Sequence, residues 1–147
     1  QEEVGLRGAE MITETIRPNV AIVTDVTHDT HTPMINKIKE GDCAMEKGPV
    51  VTIGPAVQNN LLKLIINTAK KNKIDIQRAA ASRATGTDTD AFAFNTGGVA
   101  SALISLPLRY MHTTVETVAQ KDVENVIRLI YNSLLEIQNN QDFRYLK

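Results

Sequence analysis

The amino-acid sequence predicts an α/β fold, a largely parallel sheet flanked by helices in a three-layer sandwich, on two observations. Short apolar runs rich in β-branched residues, at 20–23, 49–53 and 99–106, have the pattern of strands covered on both faces. Among them lie segments whose apolar residues recur at helical spacing, which is the alternation that places helices over a sheet. In sheets of this kind ligands collect at the carboxyl ends of the strands.

Taken in order, residues 9–16 set Met11, Ile12, Thr15 and Ile16 at helical spacing, and Pro18-Asn19 ends that helix. The first strand, 20–23, finishes at Thr24-Asp25-Val26, so Asp25 is expected at a strand's carboxyl end. Residues 27–48 are polar, carry Pro33, Gly41 and Gly48, and predict one long irregular loop before the strand at 49–53. A helix over 59–72 buries Leu61, Leu62, Leu64, Ile65, Ile66 and Ala69 and ends in Lys70-Lys71, where positive charge suits the dipole. Residues 74–79 alternate as a strand, Gly86-Thr87-Asp88 turn, 91–94 are helical, and Gly97-Gly98 stop that helix before the strand at 99–106. The last helix, 121–139, is expected to turn Val123, Val126, Ile127, Ile130, Leu134, Leu135 and Ile137 inward, with Asp122 near its positive end.

Of the 147 residues, 42% are hydrophobic and 22% charged, the profile of one globular domain with a sizeable core. Sixteen Lys and Arg against 17 Asp and Glu leave a net charge of −1, so no basic field draws nucleic acid or an anionic membrane, and a small partner is expected. Lys63 and Pro107 interrupt the longest apolar stretches well before the ~20 residues of a membrane span. The single cysteine, Cys43, has no partner for an internal disulfide and suits a reducing, cytoplasmic compartment. The opening Gln1-Glu2-Glu3-Val4-Gly5 suggests a stretch cut from a longer protein.

Three places carry side chains suited to chemistry. Glu2-Glu3 precedes a glycine-containing loop, and adjacent carboxylates converge on one site only where a strand is ending. Asp25 follows the first strand, and His112 follows the last, in Arg109-Tyr110-Met111-His112-Thr113. Taken singly, these read as a solvated acidic pair, a loop cap and a hydrogen-bonded histidine. Together they are the oxygen and nitrogen ligands that Zn²⁺, Mn²⁺ or Co²⁺ accept, with one glutamate left over as a base. His28, Asp29 and His31 form a rival cluster, which ranks lower because no Cys or Glu completes a local metal motif. Gly86-Thr87-Asp88 suggests a substrate-holding turn or a helix cap. Phosphate-binding glycine loops and a Gly-x-Ser-x-Gly nucleophile turn are missing from the sequence.

Four motifs in register, residues 1–9, Asp25-Val26-Thr27, Gly86-Thr87-Asp88 and residues 107–113, resemble the cocatalytic metalloaminopeptidases of the glutamyl and tetrahedral type, some of which bear an older cellulase label. The resemblance runs over essentially all of residues 1–147 and implies the carboxyl-terminal part of a catalytic domain, without its amino-terminal part or its inserted oligomerisation domain. By the same resemblance Glu2 is the general base, Glu3 and His112 ligate one metal ion, and Asp25 ligates the other. It implies two divalent ions, zinc or cobalt, peptide substrates and a homo-oligomeric parent. Gly86, Thr87, Asp88, Arg109 and Tyr110 would line the substrate pocket. The family's remaining ligands, a histidine and a bridging aspartate, belong upstream of Glu2, so this stretch alone is expected to bind metal weakly and to show little activity. A noncatalytic module that keeps the fold is the alternative. A glycoside hydrolase using Glu2 or Glu3 with Asp25 is a weaker one, because three Phe, three Tyr and no Trp offer few platforms for sugar rings.

Overall fold

The computed structural model describes residues 1–145. A 3₁₀ turn at Glu2–Val4 opens the chain. It is followed by α1 (Arg7–Ile16), β1 (Val20–His28), α2 (Lys37–Glu40), β2 (Val50–Ile53), α3 (Asn59–Lys71), β3 (Gln77–Ala80), α4 (Asp88–Phe94), β4 (Ala100–Arg109), β5 (Thr117–Val118) and α5 (Gln120–Glu136). The sheet runs β1-β4-β2-β3, with β5 on β4. Two parallel pairs, β1 with β4 and β2 with β3, are joined by a short antiparallel pairing of Val50 and Val51 with Ser105 and Ile104.

Strand alternation sorts the layers. Ala102 and Ile104 of β4, with Val51 of β2, point to one face, where Leu61, Leu62 and Ile65 of α3 and Val126 and Leu129 of α5 close the main core. On the other face α4 packs on β1 and β4, and α1 packs beside α4. Both of these helices lead into their strands through short connections, α1 into β1 and α4 into β4. Their amino-terminal ends therefore lie toward the carboxyl ends of the two longest strands, where the polar residues gather.

Several elements differ from the sequence expectation. β1 runs on to His28, so Asp25 lies inside the strand, three residues before its end. The Glu2-Glu3 doublet sits in the 3₁₀ turn and not at a strand's end. A short helix, α2, interrupts the expected loop, capped by the Asn36 side chain. β4 continues through Pro107 to Arg109. Asp29 donates its N–H to the Leu108 carbonyl at 2.8 Å, so even-numbered residues of β4 face β1 and Pro107 faces away. There β2 has ended at Ser105 and β5 begins at Leu108, so the missing proline N–H costs no ladder bond.

In α5 the buried stripe is Val126, Leu129 and Ser133, with Ile130 and Ile137 against the core. Ile127, Leu134 and Leu135 are exposed, which corrects the broader inward face expected from the sequence. Spacing of three and four from Val126 selects one stripe, and the other apolar residues fall on its flank.

Two ties hold the loop between α2 and β2. The buried Asp122 carboxylate accepts the Glu46 N–H at 2.6 Å and the Gly48 N–H at 3.0 Å. Gly48, at φ +93°, lies so close to β3's approach that a Cβ there would sit 2.0 Å from the Asp75 carbonyl oxygen. Only glycine fits.

Candidate active site

The 3₁₀ turn explains how adjacent glutamates serve one region. With three residues per turn, neighbouring side chains diverge by about 120°, so Glu2 and Glu3 address different partners. Glu3 Oε1 lies 3.4 Å from His112 Nε2, and both side chains are about 70% open to solvent, at 72% and 70%. Such an exposed pair contributes little to stability, yet it presents one oxygen and one nitrogen to any cation that arrives.

Glu2 is less exposed than Glu3, and its surroundings differ. Burial, then the negative charges of Asp25, Glu3 and Asp88, hold its carboxyl above the ordinary carboxylate value. Asp88 is likewise raised, first by burial and then by Asp25. Asp88 Oδ1 is fully buried and has no hydrogen-bond partner. Asp25 occupies an odd-numbered position of β1, on the face shared with α1 and α4, and its Oδ1 accepts the Val26 N–H at 2.7 Å. The structure thus brings Glu2, Glu3, Asp25 and Asp88 within electrostatic reach and sets His112 against Glu3. Among the described residues no three His, Cys, Asp or Glu side chains form a group able to hold a metal ion.

The turn that carries His112 is built in left-handed backbone, with Tyr110 at φ +61° and His112 at φ +62°. Each such residue costs about 1 kcal/mol or more, and local bonds offset it. Thr113 donates N–H and hydroxyl to the Tyr110 carbonyl, and the Glu116 carboxylate accepts the His112 N–H at 2.5 Å. Glu116 was not singled out by sequence. A carboxylate four residues beyond a histidine carries no signal until the chain is known to turn between them.

Gly86 and Thr87 lie on the approach to α4. The Thr87 hydroxyl caps that helix, and Asp90 accepts the N–H groups of Thr85 and Gly86 at 3.0 Å, holding the turn that leads to Asp88. Arg109 braces the scaffold here: its Nε–H donates at 2.9 Å to Asp29, a carboxylate that is 1% exposed. Asp29 also accepts the backbone N–H groups of His31 and Met45. Burial pushes the Asp29 carboxyl up, and these N–H donors together with Arg109 more than reverse that, so it titrates below its ordinary value. Of the rival cluster, His28 ends β1, while His31 meets Asp29, Lys37 and Asp42 and so staples the loop, hydrogen-bonded on both ring nitrogens.

This pairing makes a stability prediction. A carboxyl whose folded pKa is depressed contributes stability above its unfolded value near 4 and loses it as the pH falls through the lower, folded value. Arg109→Ala is therefore expected to cost roughly 2 kcal/mol at neutral pH, with the gap from the wild type closing below about pH 4. Urea unfolding at pH 7 and pH 3 measures it, and an equal gap at both pH values would contradict it.

Residues 1–129 match the model of the M42 glutamyl aminopeptidase family. The chain belongs to this family. A lysyl aminopeptidase of Pyrococcus furiosus is 40% identical over 143 residues, covering 97% of this chain and 40% of that protein. Among solved structures, a TET aminopeptidase from a marine sediment archaeon of the Thaumarchaeota superposes with a TM-score of 0.81 at 34% identity, over 90% of this chain and 37% of the other. A TET peptidase of Pyrococcus horikoshii, described as assembling into a tetrahedron or a large octahedral shell, gives 0.69 at 27% identity, over 90% and 38%. This M42 chain therefore spans about 40% of the length of the relatives it matches. Its sheet and helices are those of the aminopeptidase structures.

Proposed function

We propose that residues 1–147 form the carboxyl-terminal part of a catalytic domain that removes amino-terminal residues from peptides with the help of divalent metal ions. The convergence of Glu3 with His112, beside the carboxylates of Glu2, Asp25 and Asp88, is the observation that carries this reading. The donor set fits: carboxylate oxygens and an imidazole nitrogen are what zinc and cobalt accept, and a cation relieves the gathered negative charge. Glu3 and His112 would hold one ion and Asp25 a second, with ligands from outside the described residues completing each. Bound there, the pair of ions would supply the positive charge that polarises a peptide carbonyl and acidifies a water molecule.

The chain's own residues do the rest. The Glu2 carboxylate, turned away from the Glu3–His112 pair, accepts a proton and returns it to the departing amine. Gly86 and Thr87, on the turn fixed by Asp90, Asp88 at the start of α4, and Tyr110 with Arg109, whose Nε–H is already held by Asp29, would line the space where a peptide lies. A homo-oligomeric parent accords with the shell-forming relative. A cytoplasmic setting accords with Cys43, a buried free thiol whose pKa is pushed up to about 12 by burial first and by neighbouring aspartates.

The experiment uses the complete catalytic domain and aminoacyl chromogenic substrates. Activity is expected to vanish on exhaustive chelation and to return with zinc or cobalt, while residues 1–147 alone show little. Hydrolysis that survives complete metal removal would overturn the proposal.

A further inference from the structure

Asp25 and His112 reach the candidate site by different means. Asp25 lies within the ladder of β1 with β4, which runs from Val20 beside Ala100 to His28 beside Leu108, so backbone pairing before and after it fixes its place. His112 stands beyond that ladder, on the hairpin that links β4 to β5. From Tyr110 to Val118 every residue but Met111 is exposed, so core packing does little to orient the hairpin. Among the described residues the hydrogen bonds of this segment close within it, joining Thr113 to Tyr110, His112 to Glu116, Val115 to Thr113 and Thr117 to Val115. Such bonds set the shape of the hairpin and leave its direction to the strand end at Arg109.

A charged pair sits at that strand end. Arg109 donates its Nε–H at 2.9 Å to Asp29, whose side chain is 2% exposed against 39% for Arg109. Asp29 also accepts the N–H groups of His31 and Met45 and meets His31 Nδ1 at 3.2 Å, while its own N–H goes to the Leu108 carbonyl. Held by so many donors, a short carboxylate side chain keeps one orientation, and the planar guanidinium transmits it to Arg109. A buried ion pair is weak evidence of a stabilising role, since well-packed apolar residues serve as well in such places. Its position is more telling: Asp29 directly follows the last paired residue of β1, and Arg109 stands three residues before His112.

We infer that Asp29 is a positioning residue for one of the two metal ions: through Arg109 it sets the direction of the hairpin between β4 and β5, and so the place where the His112 imidazole meets Glu3. Asp25, held by the ladder, does not depend on it. This rests on the metal-dependent peptidase reading, and the two fail differently. That reading fails if the unaltered domain hydrolyses peptides without metal, whereas this one fails on a comparison of variants in metal binding alone.

The test is cobalt binding by the complete catalytic domain, read by visible absorption, with circular dichroism to check that each variant is folded. Asp29→Asn keeps the size of the side chain, and the partner it releases, Arg109, reaches water, so no buried charge is stranded. It is expected to weaken the cobalt ion that depends on His112 by about 10- to 100-fold, with the band restored at higher cobalt, and to leave the ion that depends on Asp25 unchanged. Arg109→Met, which leaves the His31 and Met45 donors to Asp29 in place, is expected to do the same. The double variant is expected to lose no more than either single one, because the two side chains act as one unit. His31→Ala removes a contact of Asp29 with the loop and spares the one with Arg109, so both ions are expected to bind as in the wild type. Should Asp29→Asn not fold, Arg109→Met alone decides. Unaltered affinity for the His112 ion in the folded variants, equal weakening of both ions, additive losses in the double variant, or the same loss in His31→Ala would each overturn the inference.

Discussion

Glu2→Gln is expected to lower kcat of the metal-loaded catalytic domain by about 10²- to 10⁴-fold, with KM and metal content little changed. Glutamine keeps the size of the side chain and its place in the 3₁₀ turn but does not accept a proton. Glu3 diverges from Glu2 by about a third of a turn and still faces His112, so the ligand pair is left in place. The change therefore separates a base from a ligand: a lost ligand alters metal content, and a lost base alters turnover alone. An unchanged kcat would return Glu2 to the bland reading of a solvated acidic residue. Steady-state kinetics with metal analysis on the same sample is the check.

Asp122→Ala is expected to remove about 3 kcal/mol of stability, the largest loss anticipated from a residue away from the candidate site. Alanine leaves the N–H groups of Glu46 and Gly48 without their acceptor and strips the first turn of α5 of its carboxylate. Those two bonds join segments more than 70 residues apart in sequence. The loop they hold also contains Gly48, whose tight approach to Asp75 leaves no room to re-form elsewhere. Asp122→Asn retains one acceptor and is expected to cost less. Urea unfolding with an unchanged m-value measures both, and a loss below 1 kcal/mol for the alanine variant would mean that water or another side chain replaces the carboxylate.

Element types were readable from the residues because period and composition are local. Residues 59–72 and 20–23 announced a helix and a strand, and both occur in the structure with boundaries moved by a few residues. Pairing was less readable: nothing local says that β1 lies beside β4, some 80 residues away, and that β2 runs antiparallel to it. Thr24-Asp25-Val26 breaks the apolar run and so predicts a strand end at Asp25, whereas the ladder with β4 carries the strand on to His28. For the same reason Pro107 was read as a terminus, although the gap between β2 and β5 lets the strand pass through it.

The candidate site divides in the same way. The residue types were visible, and so was the doublet, but the 3₁₀ turn that sends Glu2 and Glu3 apart was not. Sequence marks Asp88 as a turn or cap residue, and its carboxylate shares the neighbourhood of Asp25 and Glu2, because α4 crosses the face of β1. The left-handed backbone at His112 is held by Glu116, and although histidine is one of the non-glycine residues enriched at positive φ, that tendency is too weak to place the turn without the bonds that fix it.

Cobalt titration of the complete catalytic domain, followed by the visible absorption of the bound ion, bears most directly on whether Glu3 and His112 act as one ligand pair. The account predicts that Glu3→Gln and His112→Ala each abolish the same cobalt band and leave a second site, dependent on Asp25, able to fill. Full occupancy with an unaltered spectrum in either variant would contradict it.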